Sequence, residues 1–430
     1  MSIWTSLFTG SSGLGAHGDA ISVVGDNIAN VSTIGYKSSR ADFADVIGGT
    51  AANGQRLGQG VRMSGVETYL GQGTLQQTGR SLDLAIRGNG FFVLNGNHDG
   101  SAGNYYSRDG QFSLDNTGTV VNAEGLKLQG YVIDPTTGQT ATTLSDLTIG
   151  GTSPPKATTK VDMSANLSSS DPVLATPFDP ANPSSPTSSS YSTSMTAYDS
   201  LGNSHKINLY FRNNGAGGWD YHAMVDGGEV GGTKGTPTEI GNGTLTFDAK
   251  GALVSQTGTT TASFTGATAG QVIAFNFGDP TSTGGTGTAG STQYASTSLG
   301  DVKSVQQDGW SSGVLTDVSV GDDGTVSGKF SNGQSRPIAQ VALASFTSPT
   351  NLHRAGSQDF TETQASGQAL IGAAGSGSRG AISGGALEGS NVDLSSELVS
   401  LIAYQRAFSA NSKTVSTADE MLQDVVNLKR

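Results

Sequence analysis

Residues 391–430 read NVDLSSELVSLIAYQRAFSANSKTVSTADEMLQDVVNLKR, a stretch without glycine or proline. Asp393 and Glu397 stand near its beginning, where the helix dipole favours acidic side chains. The pattern then repeats every three or four residues, the spacing that places side chains on one face of an α-helix. The residues on this spacing are Leu394, Leu398, Leu401, Tyr404, Phe408, Asn411, Val415, Ala418, Leu422 and Val425. The stretch therefore predicts one helix of about 35 residues.

A helix of this length has two interpretations. It is either a buried helix of a globular core or a helix that pairs with others in a coiled coil or an assembly. Helices of globular domains usually span about 8–20 residues. The length therefore favours a coiled-coil or assembly role.

The N-terminal residues carry a comparable stripe. Apolar residues recur at heptad spacing, the pattern of a helix that packs on other helices; they are Leu7, Leu14, Ile21, Val24, Ile28 and Val31. Five glycines between residues 10 and 25 dilute this stripe, and each costs about 1 kcal/mol relative to alanine in a helix interior. We expect this helix to form only when packed, with the C-terminal helix of the same or a neighbouring subunit as its partner.

The middle of the chain has a different periodicity. All 12 prolines lie between Pro135 and Pro349, so both ends are free to form long uninterrupted elements. Between the ends, apolar and polar residues alternate, which is the period of a half-buried β-strand. The alternation is clearest in 82–94, 207–211, 219–225 and 273–277. Turn pairs such as Asp109-Gly110 and Asn332-Gly333 separate these runs, and we interpret the middle as antiparallel β-structure.

Three segments have a biased composition. Residues 168–190 and 278–292 are of low complexity and are predicted to be exposed loops or linkers. They border a β-rich segment that is predicted to be a separate domain. Residues 367–385, rich in Gly, Ser and Ala, are predicted to be flexible.

The predicted fold is α+β and multidomain. The N- and C-terminal helices form a coiled-coil-like core domain, and nested, discontinuous antiparallel β domains are inserted between them. The predicted organisation comprises a helical core domain at 1–32 and 390–430, connecting segments at 33–75 and 363–389, an inner β domain at 76–150 and 300–362, and an outer β domain at 151–299.

Composition excludes several classes of function. The net charge of −12 argues against nucleic acid as a partner, because phosphate neutralisation requires a basic face. It argues equally against a polybasic membrane-surface protein. No run of about 18 apolar residues occurs, so we predict no membrane insertion. The absence of cysteine excludes a disulfide framework, a thiolate metal site and a cysteine nucleophile.

Little titratable chemistry is arranged as an active site. The five histidines are scattered without the spacing of metal ligands, and His205 and His222 are predicted to lie on strand surfaces. Residues 375–380 match the glycine pattern of a dinucleotide site but lack its strand and helix, and are interpreted as linker. Asp322 and Asp323 predict a hairpin turn rather than a calcium loop. We therefore predict no catalytic residue, no cofactor and no metal.

Four strings carry more specific information. They are NIANVSTIGYK at 27–37, GRSLDLAIRGNGFFVL at 79–94, SRDGQFSLDNTG at 107–118 and the segment 385–430. Together they resemble the bacterial flagellar axial proteins, the family of rod, hook and hook-associated subunits. The string TADEMLQ at 417–423 favours the hook branch, and the residues at 151–299 supply a middle insertion that rod proteins lack.

The resemblance assigns a set of motif residues. These are Asn27, Asn30, Thr33, Gly35, Tyr36, Lys37, Asn391, Asp393, Gln405, Arg406, Asn411, Thr417, Ala418, Asp419, Glu420, Met421 and Leu422.

The resemblance implies a structural subunit and not an enzyme. Such a subunit polymerises with itself into a flexible tube, a universal joint that transmits torque from rod to filament. Its partners would be copies of itself, the flagellar rod, the hook-cap and hook–filament junction proteins, and the type III export apparatus. Its expected location is extracellular, in the hook, after export without a cleavable signal peptide; no lysine or arginine precedes Lys37, so a conventional charged leader is not predicted.

Alternatives remain within and outside the family. Within it, a distal rod or hook-associated junction protein shares the terminal motifs but is disfavoured by length and insertion. Outside it, a secreted β-rich adhesin would leave the terminal helices without a role. An enzyme is the least supported alternative.

A bending tube needs places where the chain can flex. Gly-rich connections at 48–60 and 367–385 are candidates, because glycine permits backbone changes that other residues resist. The predicted hinges are Gly48, Gly49, Gly384 and Gly385. Plain surface loops are the alternative interpretation.

Overall fold

A computed structural model describes residues 3–50, 56–98, 100–135, 137–296 and 300–427. Within these ranges the chain forms two long α-helices, with β-strands and three short 3-10 helices between them. The helices are α1 (Ile3–Ala29) and α2 (Leu394–Asn427). The first strands are β1 (Ser39–Thr50), β2 (Arg56–Thr68), β3 (Leu75–Gln77), β4 (Leu84–Arg87), β5 (Phe91–His98), β6 (Ser101–Ser107), β7 (Ser113–Leu114), β8 (Val120–Val121), β9 (Lys127–Val132), β10 (Ser145–Asp146) and β11 (Thr152–Ser153).

The middle strands are β12 (Lys160–Asn166), β13 (Tyr191–Tyr198), β14 (Ser204–Gly215), β15 (Gly218–Asp226), β16 (Pro237–Phe247), β17 (Leu253–Gln256), β18 (Thr259–Ala262) and β19 (Gln271–Asn276). The last are β20 (Asp301–Gln307), β21 (Gly313–Val320), β22 (Thr325–Phe330), β23 (Ser335–Ser345), β24 (His353–Gly356), β25 (Asp359–Thr361), β26 (Leu370–Ala373), β27 (Ala381–Gly384) and β28 (Ala386–Glu388). The 3-10 helices are Gly227–Val230, Thr281–Thr283 and Pro349–Asn351. Terminal helices with β-structure between them confirm the predicted fold class.

Both helices begin or end at identifiable polar side chains. The Asp393 carboxylate accepts the backbone N–H of Ser395 at 2.9 Å and of Ser396 at 3.3 Å, which caps the start of α2 as predicted. The prediction that α1 includes Val31 is wrong, because the helix ends at Ala29. Asn30 ends it: its amide donates to the Asp26 carbonyl at 2.9 Å, and the chain then turns.

The chain divides into two compact units, described separately below. Unit 1 comprises Met1–Gly151, Thr316–Lys329 and Ser335–Arg430, and unit 2 comprises Thr152–Leu315 and Phe330–Gln334. The predicted four-part domain organisation, with an insertion at 151–299, stays a prediction. Residues 300–315 belong to unit 2.

Unit 1 contains both helices and a twisted antiparallel sheet. In this sheet the strands run in the order β22-β23-β9-β5-β6-β25-β24. Its core contains Phe91, Val93, Tyr106 and Phe360, each no more than 3% exposed. Small antiparallel ladders, β4 with β27 and β3 with β28, connect the N-terminal and C-terminal parts of the unit.

Unit 2 is a sheet with strand order β13-β14-β15-β16-β18-β19-β12-β20. The alternation predicted in 207–211 and 219–225 is confirmed: Ile207, Leu209, Phe211, Trp219 and Tyr221 are all buried in its core. The strictly antiparallel interpretation is wrong at one pair, since β12 and β19 run parallel. The long chain between them supplies the crossover that parallel strands need.

The two histidines of unit 2 are packed by aromatic rings, which corrects the prediction for His205. The His205 side chain is buried and stacks on Phe264 with ring centroids 3.7 Å apart. Its nitrogens lie 2.8 Å from a Glu229 carboxylate oxygen and 3.3 Å from an Asp199 oxygen. His222 is partly buried and stacks on a ring from the 168–190 loop.

The three segments of biased composition differ in their secondary structure. Residues 168–190 contain no strand, whereas 278–292 contain the short helix Thr281–Thr283. The prediction of a flexible linker at 367–385 is wrong, because it holds β26 and β27, paired with β23 and β4. The glycine pattern at 375–380 forms the turn between these strands. The predicted turn at Asp322 and Asp323 is confirmed between β21 and β22.

Four hairpins use the same turn with an aspartate or asparagine at its first position. In Asp248–Ala252 the carboxylate of Asp248 accepts the N–H groups of Lys250 and Ala252, both at 2.8 Å. The Gly251 N–H donates to the Asp248 carbonyl at 2.9 Å, with the glycine φ at 79°. The aspartate carboxylate binds the backbone N–H groups of the turn, and glycine accepts the positive φ that the turn requires. Its backbone bonds recur in 115–119, 122–126 and 199–203.

In the described residues, neither helix is long and apolar enough to cross a membrane.

Two glycines of unit 2 distinguish the cost of a strained backbone from the cost of a steric clash. Gly251 and Gly266 have φ of 79° and 86°, and a Cβ at Gly251 would lie 2.5 Å from the Gln293 carbonyl oxygen, whereas Gly266 faces open space. We expect Gly266→Ala to cost about 1 kcal/mol of unfolding free energy, and Gly251→Ala about 1–3 kcal/mol more. Urea unfolding followed by Trp219 fluorescence measures both, and equal losses would contradict the steric argument.

Candidate functional site

The terminal helices pair within one chain through small residues. The contacts join Gly10 to Val415, Gly13 to Asn411 and Gly18 to Phe408, so the helices run antiparallel. A Cβ at Gly13 would lie 2.6 Å from the Asn411 amide, and one at Gly10 2.8 Å from a Val415 methyl. The buried positions of α1 are Gly10, Gly13, Ala16, Ala20, Val24 and Asn27. Glycine thus permits the close approach of the two helices.

The larger apolar residues of the predicted stripes are less buried than the small ones. Leu7, Leu14, Ile21 and Ile28 are partly buried, and only Val24 is fully buried. On α2, the partly buried residues are Leu401, Tyr404, Asn411, Val415 and Leu422, while Leu394, Leu398 and Phe408 are 41–44% exposed. Val425 lies in α2, but its side chain is outside the described residues. Their role in assembly stays a prediction.

Exposed apolar side chains also lie outside the predicted stripes. Trp4 and Phe8 on α1 are 61% and 66% exposed, and Val399 and Ile402 on α2 are 68% and 49% exposed. Sequence periodicity missed them because it treated the glycines of α1 as interruptions of an apolar face. In the structure, small residues form the buried face instead. Their exposure leaves apolar surface on the helix pair available for a partner.

The base of the helix pair is held by a network that we call the motif junction: Asn27, Tyr36, Lys37, Glu388 and Asn391. Its first member, Asn27, is fully buried. The Asn27 amide donates to the Ser39 carbonyl at 2.7 Å and to Glu397 at 3.0 Å, which links α1 to α2. Its carbonyl oxygen accepts the Ser39 N–H at 2.9 Å and the Tyr36 hydroxyl at 3.1 Å. Burial raises the pKa of Glu397.

Asn391 performs the same task from the C-terminal side. Its amide oxygen accepts the Ser38 N–H at 2.8 Å, and its amide nitrogen donates to the Tyr69 and Gly71 carbonyls at 2.8 and 3.1 Å. The motif asparagines from the two ends therefore bind backbone groups of the same connecting segment. A side chain without both a donor and an acceptor could not replace them.

The centre of the motif junction is a buried ion cluster, the Glu388 cluster: Glu388, Lys37 and Arg108. The Glu388 carboxylate lies 2.6 Å from the Lys37 ammonium and 3.1 Å from the Arg108 guanidinium, and all three side chains are no more than 4% exposed. It also accepts the Gly73 N–H at 2.9 Å. Burial lowers the pKa of both Lys37 and Arg108, and the carboxylate opposes that shift. Lys37 also donates to the Gly71 carbonyl and Arg108 to the Gly88 carbonyl, whereas the buried Nε of Arg108 has no hydrogen-bond partner.

The turn between α1 and β1 depends on Gly35. Its φ is 70°, and a Cβ there would lie 2.6 Å from the Asp109 backbone nitrogen. Its N–H donates to the Glu388 carbonyl at 2.7 Å. Thr33 and Asn30 close the turn through a 3.0 Å side-chain hydrogen bond. These contacts explain the spacing of the motif from Asn30 to Lys37.

Sequence reasoning missed three charged residues of this region. Arg108 and Glu388 stand in the quoted strings, but nothing in their local pattern indicates that they meet. Arg354 donates to the Lys37 carbonyl, and its guanidinium lies 5.2 Å from the centre of the Tyr36 ring. A charged residue at the end of the short apolar run 386–388 is the one signal that pointed to Glu388.

The motif residues in the second half of the C-terminal helix α2 and around Gln405 do not join the junction. Gln405, Arg406, Asp419, Glu420 and Met421 are exposed along α2. Ala418 is buried, and Thr417 and Leu422 are partly buried. A function of the exposed ones in assembly stays a prediction.

The predicted hinges lie in or beside β-strands. Gly48 and Gly49 belong to β1, Gly384 ends β27, and Gly385 follows with φ of 69°. A Cβ at Gly384 would lie 2.7 Å from the Val320 carbonyl oxygen. Flexing at these four glycines stays a prediction.

Among the described residues, no group of three His, Asp or Glu side chains could hold a metal ion.

The Glu388 cluster predicts a large effect of one substitution. We expect Glu388→Gln to lower the unfolding free energy of unit 1 by about 3–5 kcal/mol, because it leaves two buried cations without a counter-charge. The control is Glu67→Gln, which removes the exposed Arg40–Glu67 ion pair and should cost no more than about 1 kcal/mol. Hydrogen exchange of β3 and β28 amides during urea titration measures both, and similar small losses would contradict a central role of the cluster.

The glycine contacts of α1 predict that two double Gly→Ala variants have opposite effects on the stability of the helix pair. Gly10→Ala/Gly13→Ala places two methyl groups against α2, whereas Gly15→Ala/Gly25→Ala places them in open space. The second variant should stabilise α1 by about 1 kcal/mol per site, and the first should weaken the helix pair despite the same gain in helix propensity. Far-UV circular dichroism, which reports secondary structure, compares the two variants during heating. Equal stabilisation would contradict the contacts of Gly10 and Gly13 with α2.

Family models match four segments of this chain. Family models match at residues 7–37 (Flagella basal body rod protein), 85–163 (Flagellar hook protein FlgE/F/G D1 domain), 166–310 (Flagellar basal body protein FlaE D2 domain) and 383–428 (Flagellar basal body rod FlgEFG protein C-terminal). Among solved structures, the flagellar hook protein FlgE2 of Helicobacter pylori matches with a TM-score of 0.48 and 16% identity, over 71% of this chain and 98% of that chain.

Curated relatives match over nearly the whole length. The flagellar hook protein FlgE of Escherichia coli K12 is 37% identical over 424 residues, 97% of this chain and 98% of that protein. The flagellar hook protein FlgE of Borreliella burgdorferi is 33% identical over 463 residues, 99% of both chains. The chain therefore belongs to the flagellar hook protein family.

Proposed function

We propose that this chain is a structural subunit of the bacterial flagellar hook that polymerises through its paired terminal helices into a flexible tube. The observation that carries the proposal is the apolar surface left on that pair: Trp4, Phe8, Val399 and Ile402 are 49–68% exposed in the single chain. Contacts with neighbouring copies would bury these side chains. Polymerisation would also complete the packing of the half-buried stripes on α1 and α2.

The same reasoning makes the role mechanical rather than catalytic. The titratable groups of the motif junction are buried and bound to one another or to backbone groups, so they hold chain segments in place. A catalytic group would instead need access to a substrate. We therefore propose no enzymatic activity for this chain.

Partners and location follow from the family. The subunit belongs to the hook, outside the cell, in a homopolymer that joins other axial proteins. We further propose contacts with the hook cap and the hook–filament junction proteins, and passage through the type III export apparatus without a cleavable signal peptide. A chain without cysteine cannot be trapped by disulfides on the way.

Bending must occur outside the motif junction, because its buried ion cluster fixes the segments that meet there. We propose that Gly48, Gly49, Gly384 and Gly385 contribute this freedom, and that the chain is organised into helical core, connecting, inner β and outer β segments. Pro or Ala at these glycines should stiffen the hook. Unchanged flexural rigidity in such variants would overturn the hinge proposal.

A distal rod or hook-associated subunit is the alternative within the family. The full-length matches to proteins named flagellar hook protein support the hook over this alternative. Electron microscopy of a strain lacking the gene tests it: rods without hooks, restored by this chain, support the proposal. Intact hooks in that strain would overturn it.

Substitution on the exposed face of α2 predicts loss of assembly without loss of folding. We expect Val399→Asp/Ile402→Asp to leave the circular dichroism of the monomer unchanged and to abolish polymerisation, because charge would enter an apolar contact. The control is Ser409→Asp/Ser412→Asp, which adds the same charge at exposed polar positions of α2. Sedimentation and electron microscopy compare the two, and equal polymerisation would contradict this role of the face.

Deletion of residues 394–430, which removes α2, should also abolish polymerisation. We expect the truncated chain to keep its β-structure and to form no polymer. Leu401→Asp should act similarly, because it places a charge on the partly buried side of α2. Polymers of the truncated chain in electron micrographs would contradict the assigned role of α2.

A further inference from the structure

Three aspartates of unit 1, Asp83, Asp109 and Asp359, gather along one backbone segment; we call them the aspartate cluster. Asp359 in β25 pairs with Ser107 in β6, and Asp83 forms a bridge with Gln111. Asp109 lies on the chain between those two partners.

Two of the three carboxyl groups are buried without adequate partners. Asp359 is 1% exposed, and neither of its carboxylate oxygens has a hydrogen-bond partner. The hydroxyl of Ser107, which partly opposes the rise in the pKa of Asp359, donates to the Gln358 carbonyl at 3.1 Å. Asp83 is 2% exposed, and its Oδ1 likewise has no hydrogen bond.

The charges around the cluster do not neutralise it. The negative charges of Glu124 and Asp109 raise the pKa of Asp359, and His98 opposes them. Asp83 and Glu124 act in the same way on Asp109. Arg80 reaches Asp83 only at 3.9 Å and is 69% exposed. The buried guanidinium of Arg108 is bound to Glu388 and the Gly88 carbonyl, so its hydrogen bonds are directed elsewhere.

An ionised carboxylate in such a place is unstable, and the group takes up a proton instead. We propose that the aspartate cluster links the folding of unit 1 to protonation: the folded unit holds a proton that the unfolded chain releases. Acid therefore stabilises unit 1, and neutral or alkaline solution weakens it.

The pKa shifts agree with this geometry. Burial raises the pKa of Asp359 to about 7 and that of Asp109 to about 6, whereas an unfolded aspartate titrates near about 3.9. Between these values the folded unit binds more protons than the unfolded chain, so stability falls as pH rises. The contribution is fully present below about pH 4 and is lost by about pH 7.

The turn before Asp359 indicates where the weakened unit opens. Ser357 and Gln358 have φ of 48° and 64°, a conformation that side-chain-bearing residues rarely adopt. The pairing of β25 with β6 holds this turn. Ionisation of Asp359 weakens the same pairing, because it buries an uncompensated charge in β25. Local unfolding should therefore begin at β24 and β25.

One consequence rests on the proposed function. An exported subunit must stay unfolded in the cytoplasm and fold outside the cell. Wherever the exterior is more acidic than the cytoplasm, proton-linked folding favours unit 1 after export and disfavours it before.

Hydrogen exchange of the full chain between pH 5 and 8, corrected for the intrinsic exchange rates, tests the proposal. We expect the opening constants of β6 and β25 amides to rise by up to about 10-fold per pH unit for each linked proton, while β14 and β15 amides of unit 2 serve as the internal control. Asp359→Asn should flatten the dependence, and the exposed carboxyl variant Glu67→Gln should keep it. Identical pH dependence in wild type and Asp359→Asn would overturn the proposal.

A second measurement covers the case in which Asp359→Asn does not fold. Carbon NMR of the wild-type chain with labelled aspartates should show a carboxyl group that titrates near pH 7. If every aspartate titrates below pH 5, the proposal is wrong. Both experiments use the monomer, so their failure leaves polymerisation intact, and failure to polymerise at constant pH leaves the proton linkage intact.

Discussion

The buried carboxylate of Glu388 is the interaction on which the rest of unit 1 depends. It brings together a lysine from the N-terminal motif and an arginine from the β-structure, all three nearly free of solvent exposure. A charge in this position is stable only when its partners are present. The helices and the sheet therefore take their places together, and the asparagines Asn27 and Asn391 fix the backbone around this centre.

The helix pair shows how the same residues have opposite meanings in isolation and in contact. Glycine weakens α1 as a free helix, but at Gly10 and Gly13 it lets α2 approach closely. Because small residues form the contact within the chain, several large apolar residues remain outward. A subunit built in this way is folded and yet incomplete, which suits a protein that must join copies of itself.

The sequence predicted those features that local pattern determines. The length of α2, the position of Asp393 at its start, the alternation that buries Phe211 and Trp219, and the turn at Asp322 and Asp323 all arise from neighbours along the chain. Contacts between distant segments were not predictable: nothing near Glu388 or Arg108 indicates their pairing. His205 was placed on the surface because strand periodicity does not include the loop carrying Phe264, and the end of α1 was misplaced because Asn30 outcompetes the apolar stripe.

The two kinds of contact also differ in when they can form. The four aspartate and asparagine turns join residues four positions apart, so each closes as soon as its own segment is free. The Lys37–Glu388 contact spans 351 positions. A chain that emerges from one end can therefore build its hairpins early, but it can close the Glu388 cluster only after nearly its whole length is present. A fragment that ends before Glu388 therefore leaves the buried positions of Lys37 and Arg108 without their counter-charge.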